Sequence, residues 1–257
     1  MRSWTWDPLR REFVSGGATG ELRVADSWFV GDGKVRAFDR HRRRFSKAAL
    51  EVGCTDADST DFWSALIDLI PRSGEWFPRV EILGNDQPVL GFRLRLAPPR
   101  TDEPSAWIPP FSDPRRHPQT KGPDIARLSD LRTQAYEEHR CDELLLVDER
   151  GFAVESATSS LLWWEGDTLC IPHPDLAQLP GVTRSVIQDE ARRRSISIEY
   201  RRVQPDDLPG HEVWLVNALH GIRRIRAFSG QLNYECARAP KRFWEWKVWL
   251  DAQMTLV

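Results

Sequence analysis

The sequence has few of the residues that build disulfide frameworks or metal sites. Its 257 residues include four widely separated cysteines, at positions 54, 141, 170 and 236, with no C-x-x-C pair. The six histidines show no H-x-x-x-H or H-E-x-x-H spacing. This pattern argues against a zinc cluster and a disulfide scaffold, and it suits a reducing compartment. We therefore expect no metal ion.

Long apolar runs and a strong charge of one sign are also missing. No run approaches the roughly 20 apolar residues that cross a bilayer, and the opening stretch MRSWTWDPLRREF contains no apolar signal core. We therefore expect a cytoplasmic protein without membrane contact. The formal net charge is −2, so the basic runs RHRRRFSK and ARRRS are expected to be solvated helix faces rather than a nucleic-acid surface.

The first hundred residues predict short strands and two helices. ELRVADSWFV and KVRAF are typical of strands joined by the turn GDG, which indicates a hairpin. A helix is then predicted from an N-cap at Asp39 to Gly53, and Thr60 or Asp61 caps a second one. The segment GFRLRLAPP alternates, which predicts a half-buried strand with its phenylalanine and both leucines on one face.

Eight prolines between residues 97 and 123 mark a predicted crossing between two domains. We expect a small N-terminal domain over residues 1–105, a proline-rich crossing over 106–120 and a larger C-terminal domain over 121–257. In the C-terminal part a helix is predicted at DIARLSDLRTQAYEEH, and short strands are predicted at ELLLVD, FAVES, SLLWWEG, TLCIP, SISIEYRRV, EVWLVNA and IRRIRAF. The chain closes with a tryptophan-rich helix, APKRFWEWKVWLDAQ. This mixed order predicts an α+β fold with largely antiparallel sheets.

The stretch LPGVTRSVIQDEARRR leads from a glycine turn directly into a predicted helix, with Thr183 in its first turn. The first backbone N–H groups of a helix have no partners within it, and the helix dipole makes that end positive. Such an end can bind an anion, often a phosphate. An ordinary strand-to-helix turn has the same pattern, so the motif alone leaves both interpretations open.

Three further residues carry chemistry that an active-site cleft needs. Lys121 ends the proline-rich stretch and is the one lysine beyond residue 100 outside the terminal helix. A lysine of lowered pKa can form a Schiff base with an aldehyde cofactor. Glu155 lies near the end of the strand GFAVES, and Arg44 closes a run of three arginines. Taken singly, each residue also fits an exposed surface position.

Together these segments resemble the class IV, fold-type IV pyridoxal-phosphate enzymes, which include branched-chain aminotransferases, D-amino-acid aminotransferases and aminodeoxychorismate lyases. The matching segments occur in the family's order: DGKVRAFDRHRRRF, TKGPDIARL, DELLLVDERGFAVESATSSLLWWEGDTLCIP, LPGVTR and HEVWLVNALHGIRRI. The resemblance covers nearly the whole chain. It implies a two-domain D-amino-acid aminotransferase-like fold, the cofactor pyridoxal 5'-phosphate, a small amino substrate and a homodimer.

The resemblance also implies a role for each matched residue. Lys121 holds the cofactor covalently and, once released, moves the proton at the substrate's Cα. Glu155 pairs with the pyridine nitrogen, so that the ring accepts electrons. Arg44 follows His41 in the family's H-x-x-R pattern and contacts the cofactor phosphate. The remaining residues expected beside the cofactor are the amides of Val182 and Thr183, followed by Asn217, Ala218 and Leu219.

The chain departs from the family pattern on the substrate side. Where the family has a glycine-rich segment near F-G-D-G-x-F-E-T, this chain has TGELRVADSWFV, and Ser27 takes roughly the slot of the threonine. None of its three tyrosines matches the one that many members place near the ring oxygen. Ala218 replaces a frequent serine or threonine, so one phosphate hydrogen bond is expected to be lost or supplied by a backbone group.

These departures leave the reaction open. NALHGI and SLLWW are closer to the lyase branch, in which 4-amino-4-deoxychorismate loses pyruvate and leaves 4-aminobenzoate for folate synthesis, with Ser27 as a proton carrier. A class IV aminotransferase is the alternative, and a non-catalytic binding protein on this fold is a remote third. The candidates for binding a substrate carboxylate are Arg23, Arg93, Arg95 and Arg223.

Overall fold

The computed structural model describes residues 1–84, 87–230, 234–236 and 240–257. The chain divides into two compact units. The first consists of Met1–Pro99, Thr120–Pro123 and Gln253–Val257, and the second of Arg100–Gln119 and Asp124–Ala252. The domain limits expected at residues 105 and 120 stay a prediction. Among the described residues, no helix has the length and apolar character to cross a bilayer, and no cluster of potential metal ligands occurs.

The first unit contains two antiparallel sheets. The strands are β1 Arg2–Asp7, β2 Glu12–Ser15, β3 Leu22–Ser27, β4 Val30–Gly31, β5 Lys34–Arg36, β6 Glu75–Trp76, β7 Arg79–Leu83, β8 Val89–Leu94 and, near the C-terminus, β19 Met254–Leu256. The larger sheet has the order β2-β1-β8-β7-β3 and the smaller one β19-β5-β4-β6. Because β3 lies at an edge of the larger sheet, its outer backbone groups are available to another segment.

Both helices predicted for the first unit are present, as α1 Phe38–Glu51 and α2 Thr60–Asp68. The predicted N-cap of α1 is wrong: the helix starts after Ala37, whose φ of 50° ends the preceding turn, and Asp39 lies in the first turn. Ser59 caps α2, one residue before the predicted Thr60. The helices bury one face of the larger sheet, with Val24, Val80, Phe92, Phe45 and Trp63 in one apolar cluster.

The alternating segment GFRLRLAPP forms a strand that is shorter than predicted. Phe92 and Leu94 are buried, but β8 ends there and Leu96 is 70% exposed. The reason is a change of partner. Beyond Leu94 the backbone pairs with β6 and the residue after it: Leu96 bridges to Trp76, and the amide of Phe77 donates to the carbonyl of Arg95 at 2.9 Å. Tertiary pairing, rather than the apolar pattern, therefore sets the end of this strand.

The second unit is built on a mixed sheet. Its strands are β9 Ser105–Ile108, β10 Glu143–Val147, β11 Ala153–Ser156, β12 Ser160–Glu165, β13 Thr168–Pro172, β14 Ile198–Arg201, β15 Glu212–Asn217, β16 Gly221–Arg224, β17 Ala227–Gly230 and β18 Tyr234–Glu235. The main order is β14-β13-β12-β11-β10-β9-β17-β18, and β15 pairs with β12 and β16. The pairs β9–β10, β9–β17 and β13–β14 are parallel, and the other pairs are antiparallel.

Three predicted helices occur in this unit, as α3 Ile125–His139, α4 Val182–Arg193 and α5 Lys241–Asp251. The tryptophan-rich helix α5 packs Trp246 against Trp164 and Trp214, with ring centroids 5.9 Å apart in each case. The guanidinium of Arg194 lies 4.4 Å from the ring centroid of Trp246. Packing of aromatic rings against one another and against an arginine therefore fixes the terminal helix.

One sequence prediction in this unit is wrong. The stretch IRRIRAF, expected as one strand, forms parts of β16 and β17, which pair with β15 and β9 respectively. Between them the amides of Arg224 and Arg226 donate to the carbonyls of Asp102 and Pro104, at 2.8 and 2.9 Å. The chain changes partners at this point, and the apolar pattern carries no sign of that change.

The segment Thr120–Pro123 is fixed along the outer edge of β3. The amide of Ala25 donates to the carbonyl of Lys121 at 2.6 Å. Gly122 has a φ of +145°, and a Cβ there would lie 2.9–3.0 Å from backbone atoms of Val24. Only glycine combines that backbone conformation with so close an approach. The lysine next to Gly122 is therefore held by main-chain contacts.

We expect Gly122→Ala to lower the free energy of unfolding by about 2–4 kcal/mol, because strain and a backbone collision act together. Gly53→Ala is the matched control, since Gly53 has a φ of +79° but nothing within 4 Å of an added Cβ. There the loss should be about 1 kcal/mol. Urea unfolding of both variants measures the difference. Equal losses would contradict the close approach at Val24.

Candidate functional site

A buried acid on β3 binds two side chains of α1. Asp26 is fully buried, and Nδ1 of His41 lies 2.8 Å from its Oδ1. Arg44 donates from Nε to Oδ2 and from Nη2 to Oδ1, both at 2.8 Å. Burial raises the pKa of Asp26, but Arg44 and His41 outweigh burial and hold that pKa well below its usual range. Burial lowers the pKa of His41, although the carboxylate of Asp26 acts in the opposite direction.

Arg44 thus has a defined place in the first unit. Its side chain is 15% exposed and grips both oxygens of Asp26 in the two-pronged geometry that favours an arginine over a lysine. The orientation of the guanidinium is therefore fixed before any ligand arrives. Its expected contact with a phosphate stays a prediction.

The pKa of the Lys121 side chain is lowered, which favours the neutral, nucleophilic form of its amine. Burial and, after it, the nearby cation Arg44 lower the pKa of its ammonium from 10.5 to about 8. Asp26 acts in the opposite direction, while Arg95 and Arg79 add to the lowering. A substantial fraction of this amine is therefore neutral near pH 8, as attack on a carbonyl carbon requires.

A row of polar side chains covers the face of the larger sheet opposite its apolar core. Arg79 on β7 lies directly across from Ser27 on β3 and from Arg93 on β8. Because side chains alternate along a strand, Glu81 shares this face. Glu81 is 1% exposed and binds both neighbouring arginines: Nη2 of Arg79 at 2.6 Å and Nε of Arg93. Two guanidinium groups are therefore occupied by one carboxylate.

Arg95 lies at the end of that row without an acidic partner among the described residues. Its Nε donates to the carbonyl of Phe77 at 2.9 Å, and its guanidinium lies 4.8 Å from the ring centroid of Phe77. Burial lowers the pKa of Arg95, and the adjacent cation Arg79 adds to this, although Glu81 opposes it. A half-buried guanidinium in such surroundings favours an incoming anion.

In the second unit, Glu155 on β11 is 3% exposed. Its Oε1 accepts hydrogen bonds from Nη1 of Arg115 and, at 2.9 Å, from the amide of Leu179. Burial raises the pKa of this carboxyl, whereas Arg115 and the Leu179 amide lower it. The net effect is a raised pKa, because burial disfavours the charged carboxylate more than the two donors on Oε1 favour it.

The start of α4 lies next to Ser160, the residue that pairs with Glu155 on the neighbouring strand. Glu155 pairs with Ser160 on β12, and Ser160 pairs with Val216 on β15. Gly181 is the N-cap of α4, and a Cβ there would collide with Oγ of Ser160. No side chain caps this helix start. The first amides of α4, at Val182 and its successor, therefore keep their capacity to bind an anion.

Asn217 joins two turns at the same end of these strands. Its Nδ2 donates to Oγ of Ser159 at 3.0 Å and to the carbonyl of Thr158 at 3.3 Å. Its Oδ1 accepts the amide of His220 at 2.7 Å. Ala218 lies in the turn that Asn217 thus fixes, and it offers only backbone groups. Asn217 shapes this end of the sheet rather than presenting a free side chain.

Arg223, one of the candidates for a substrate carboxylate, is used inside the second unit. Its side chain is 2% exposed, and Nη2 donates to Oε1 of Glu143 and to Oγ of Ser159, both at 2.8 Å. Glu143 is fully buried and also accepts the hydroxyl of Thr158 at 2.6 Å. An arginine held this way neutralises a buried acid, and removing either partner of such a buried ion pair costs several kcal/mol of stability.

Several residues of these clusters carry no distinctive sequence signal. Asp26 precedes Ser27 and stands roughly where the family pattern has a glutamate, which is a signal that our sequence-based prediction did not use. Arg79 and Glu81 lie in an ordinary strand pattern. Arg115 is one of two adjacent arginines in SDPRRHP, and the letters do not tell which one points inward. Only the course of the backbone in the folded chain shows which of these side chains are buried in a cluster.

A family model, Amino-transferase class IV, matches residues 23–228. A stretch of 92 residues is 23% identical to the branched-chain-amino-acid aminotransferase-like protein 2 of Arabidopsis thaliana. That alignment covers 35% of this chain and 16% of the relative, so the chain aligns with about a sixth of the length of that curated relative.

Solved structures share the fold over nearly the whole chain. A hypothetical aminotransferase from Mycobacterium tuberculosis aligns with a TM-score of 0.81 and 18% identity over 98% of both chains; a PLP-bound form of it has been solved. A fold IV-transaminase from Curtobacterium pusillum gives 0.81 and 19% over 98% and 97%. A putative 4-amino-4-deoxychorismate lyase from Legionella pneumophila gives 0.74 and 16% over 91% of both. The predicted fold class is confirmed.

The amine of Lys121 should gain reactivity well below the usual range. Burial and nearby arginines penalise the ammonium form, so the neutral amine should appear as pH rises through about 8 instead of 10.5. Trace acylation of the ligand-free protein with acetic anhydride, followed by peptide mapping across pH, measures this midpoint. The control is the same chain in urea, where the midpoint should return to the ordinary value. A midpoint near 10.5 in the folded protein would refute the lowered pKa of the Lys121 amine.

Proposed function

We propose that this chain, which belongs to the class IV aminotransferase family, is a pyridoxal-phosphate enzyme that releases pyruvate from 4-amino-4-deoxychorismate and leaves 4-aminobenzoate. The match over residues 23–228 confirms the predicted family and, with it, the prediction of an enzyme. The observation that carries the proposal is the position of Lys121: its backbone is fixed along the edge of β3, and its amine is buried near Arg44. Transfer of an amino group to a 2-oxo acid is the second candidate, supported by the transaminase structures that share the fold.

The donor and acceptor groups present fit pyridoxal 5'-phosphate. The uncapped start of α4 offers the amides of Val182 and Thr183 to a phosphate, with the hydroxyl of Ser160 close by. Both hydrogen bonds to Glu155 end on Oε1, and no donor of the described chain reaches Oε2. That oxygen is available to a protonated ring nitrogen. Lys121 supplies the amine that an aldehyde requires, and Arg44 supplies a further cation for the phosphate.

Each residue then has a chemical task. Bound pyridoxal phosphate supplies an electron-accepting ring conjugated to the Cα of the substrate. Lys121 would hold the aldehyde covalently and would act as the general base for the proton at that Cα, for which a pKa of about 8 is suited. Glu155, as an anion, keeps the ring nitrogen protonated. The amides of Val182 and Thr183 hold the phosphate and thereby fix the ring.

We assign the substrate carboxylates to the row of arginines on the sheet of the first unit. Arg95 ranks first because its hydrogen bond in the described chain goes to the carbonyl of Phe77 and no carboxylate there pairs with it. Arg93 ranks lower because Glu81 occupies it, and Arg223 ranks lowest because Glu143 does. Ser27 lies across from Arg79 on β7, where its hydroxyl would carry a proton to the departing enolpyruvyl group.

The preference for the lyase rests on NALHGI and SLLWW together with Ser27, and it is the finer part of the proposal. The homodimer rests on the family resemblance and the cytoplasmic location on the composition of the sequence, and both stay predictions. Exposed apolar residues of α5, Trp244 at 46% and Val248 at 69%, are compatible with a covered surface.

Product analysis separates the two reactions. With 4-amino-4-deoxychorismate alone, a lyase releases pyruvate and 4-aminobenzoate in equal amounts and needs no 2-oxo acid. An aminotransferase turns over only when a branched-chain or D-amino acid is supplied with a 2-oxo acid, in a ping-pong pattern. We expect the first result, and expect Lys121→Ala to abolish it. Turnover only with an amino acid and a 2-oxo acid would overturn the lyase and leave the aminotransferase.

The ranking of the arginines is testable by kinetics. Arg95→Gln should raise KM for the carboxylate substrate by about 10- to 100-fold with a smaller change in kcat, because it removes a charge-assisted pair. Arg93→Gln is the matched comparison, and its KM should change by about threefold or less, since its guanidinium already binds Glu81. The opposite order of effects would show that Arg93 meets the substrate.

A further inference from the structure

Arg115 is almost enclosed by acceptors. Its side chain is 5% exposed, and Nη1 donates to Oε1 of Glu155. Its Nε lies 3.0 Å from both oxygens of Asp113, and Nη2 lies 2.6 Å from Oδ2 of Asp113. Nη1 also reaches the carbonyl of Pro118 at 3.5 Å, and Nη2 that of Ala177 at 3.1 Å. One guanidinium therefore links two acids and two backbone segments.

The backbone around Arg115 is itself fixed. The amides of Arg116 and His117 donate to the two oxygens of Asp124, at 3.0 and 2.8 Å, just before α3 begins. Asp124 is 8% exposed. Arg115 is thus presented from a braced loop. Asp113 and the carbonyls of Pro118 and Ala177 hold its guanidinium in addition to Glu155.

The same guanidinium touches the loop that leads into α4. The carbonyl of Ala177 accepts from Arg115, and the amide of Leu179 donates to the Glu155 oxygen that Arg115 also binds. Arg184, from the first turn of α4, returns to this loop and donates to Gln178 and to the carbonyl of Leu179. Glu155 and the start of α4 are therefore connected through a short chain of hydrogen bonds that includes Arg115.

We propose that Arg115 is a positioning residue of the cofactor site: it holds Glu155 as an anion, turns Oε2 of Glu155 toward the ring nitrogen, and ties the loop before α4 to that carboxylate. The inference rests on the proposed function, since it assigns Arg115 a task toward pyridoxal phosphate. Asp113 balances the charge of Arg115, so the three groups together carry one negative charge, the complement of one protonated ring nitrogen.

The direction of the expected effect follows from burial. Desolvation raises the pKa of Glu155, and Arg115 is the largest influence that lowers it. Without Arg115 the carboxyl would keep its proton to a higher pH, and a neutral acid supports a protonated ring nitrogen poorly. The loss should therefore be greatest at low pH and should shrink as rising pH ionises Glu155. A purely structural defect would show no such pH dependence.

The test compares Arg115→Gln and Arg115→Lys with the control Arg116→Gln, whose exposed side chain makes none of these contacts. Ligand-free protein is titrated with pyridoxal 5'-phosphate at several pH values, and the absorption spectrum of the bound cofactor is recorded. We expect Arg115→Gln to weaken binding about 10- to 100-fold at neutral pH, with a smaller loss at high pH. Arg115→Lys should recover part of the affinity, and Arg116→Gln should stay within about twofold of the original chain.

A double-mutant cycle separates positioning from structural support. In a Glu155→Gln background, Arg115→Gln should cause little further loss of affinity, because the group it serves is gone. An equal loss in both backgrounds would overturn the proposal, as would unchanged affinity and spectrum in Arg115→Gln. If Arg115→Gln does not fold, the pH dependence of Arg115→Lys decides in the same way. Failure of the original chain to bind the cofactor would instead overturn the proposed function itself.

Discussion

A carboxylate that leaves water must find cations or hydrogen-bond donors, and this constraint decides how the chain uses its arginines. Of its 36 basic residues only five are lysines, so nearly every available cation is a guanidinium. Guanidinium groups bind carboxylates with two parallel hydrogen bonds and lose less hydration than an ammonium. Among the described residues, the buried acids Asp26, Glu81, Glu143 and Glu155 each bind an arginine from a different strand, helix or loop. The pairs hold together strands, helices and loops that are distant in sequence.

These pairings also separate structural arginines from those that remain available. Arg223 and Arg93 are occupied by buried acids, whereas Arg95 donates to the carbonyl of Phe77 and pairs with no carboxylate of the described residues. The resulting excess of positive charge around Lys121 helps to lower the pKa of its ammonium. The same arrangement thus produces a nucleophilic amine and a cation suited to an acidic substrate. At Lys121 both burial and the arginines disfavour the charged form, whereas at Glu155 burial disfavours the charged form and Arg115 favours it.

Much of the fold follows from local patterns. The period of apolar residues located α3, α4 and α5, and the strands from β10 to β13, because each of these elements buries one face or both in its own unit. The errors occur where a distant partner intervenes. β8 ends before Leu96 because the backbone turns to pair near Phe77, and IRRIRAF divides because its two halves join different strands. The start of α1 shifted because Ala37, not a side-chain cap, ends the preceding turn.

The sequence by itself determined the chemical groups and their order: a lysine after a proline-rich stretch, an acid at a strand end and a glycine before a helix. These are local features, since a residue type and its neighbours decide whether a helix starts or a turn forms. Only the tertiary structure decided which arginine meets which acid. Arg115 and Arg116 are identical in sequence terms, yet one is buried on Glu155 and the other is exposed. The pKa of Lys121 is likewise a property of burial and of charges on α1, β3, β7 and the residue after β8, and no spacing along the chain specifies that these come together.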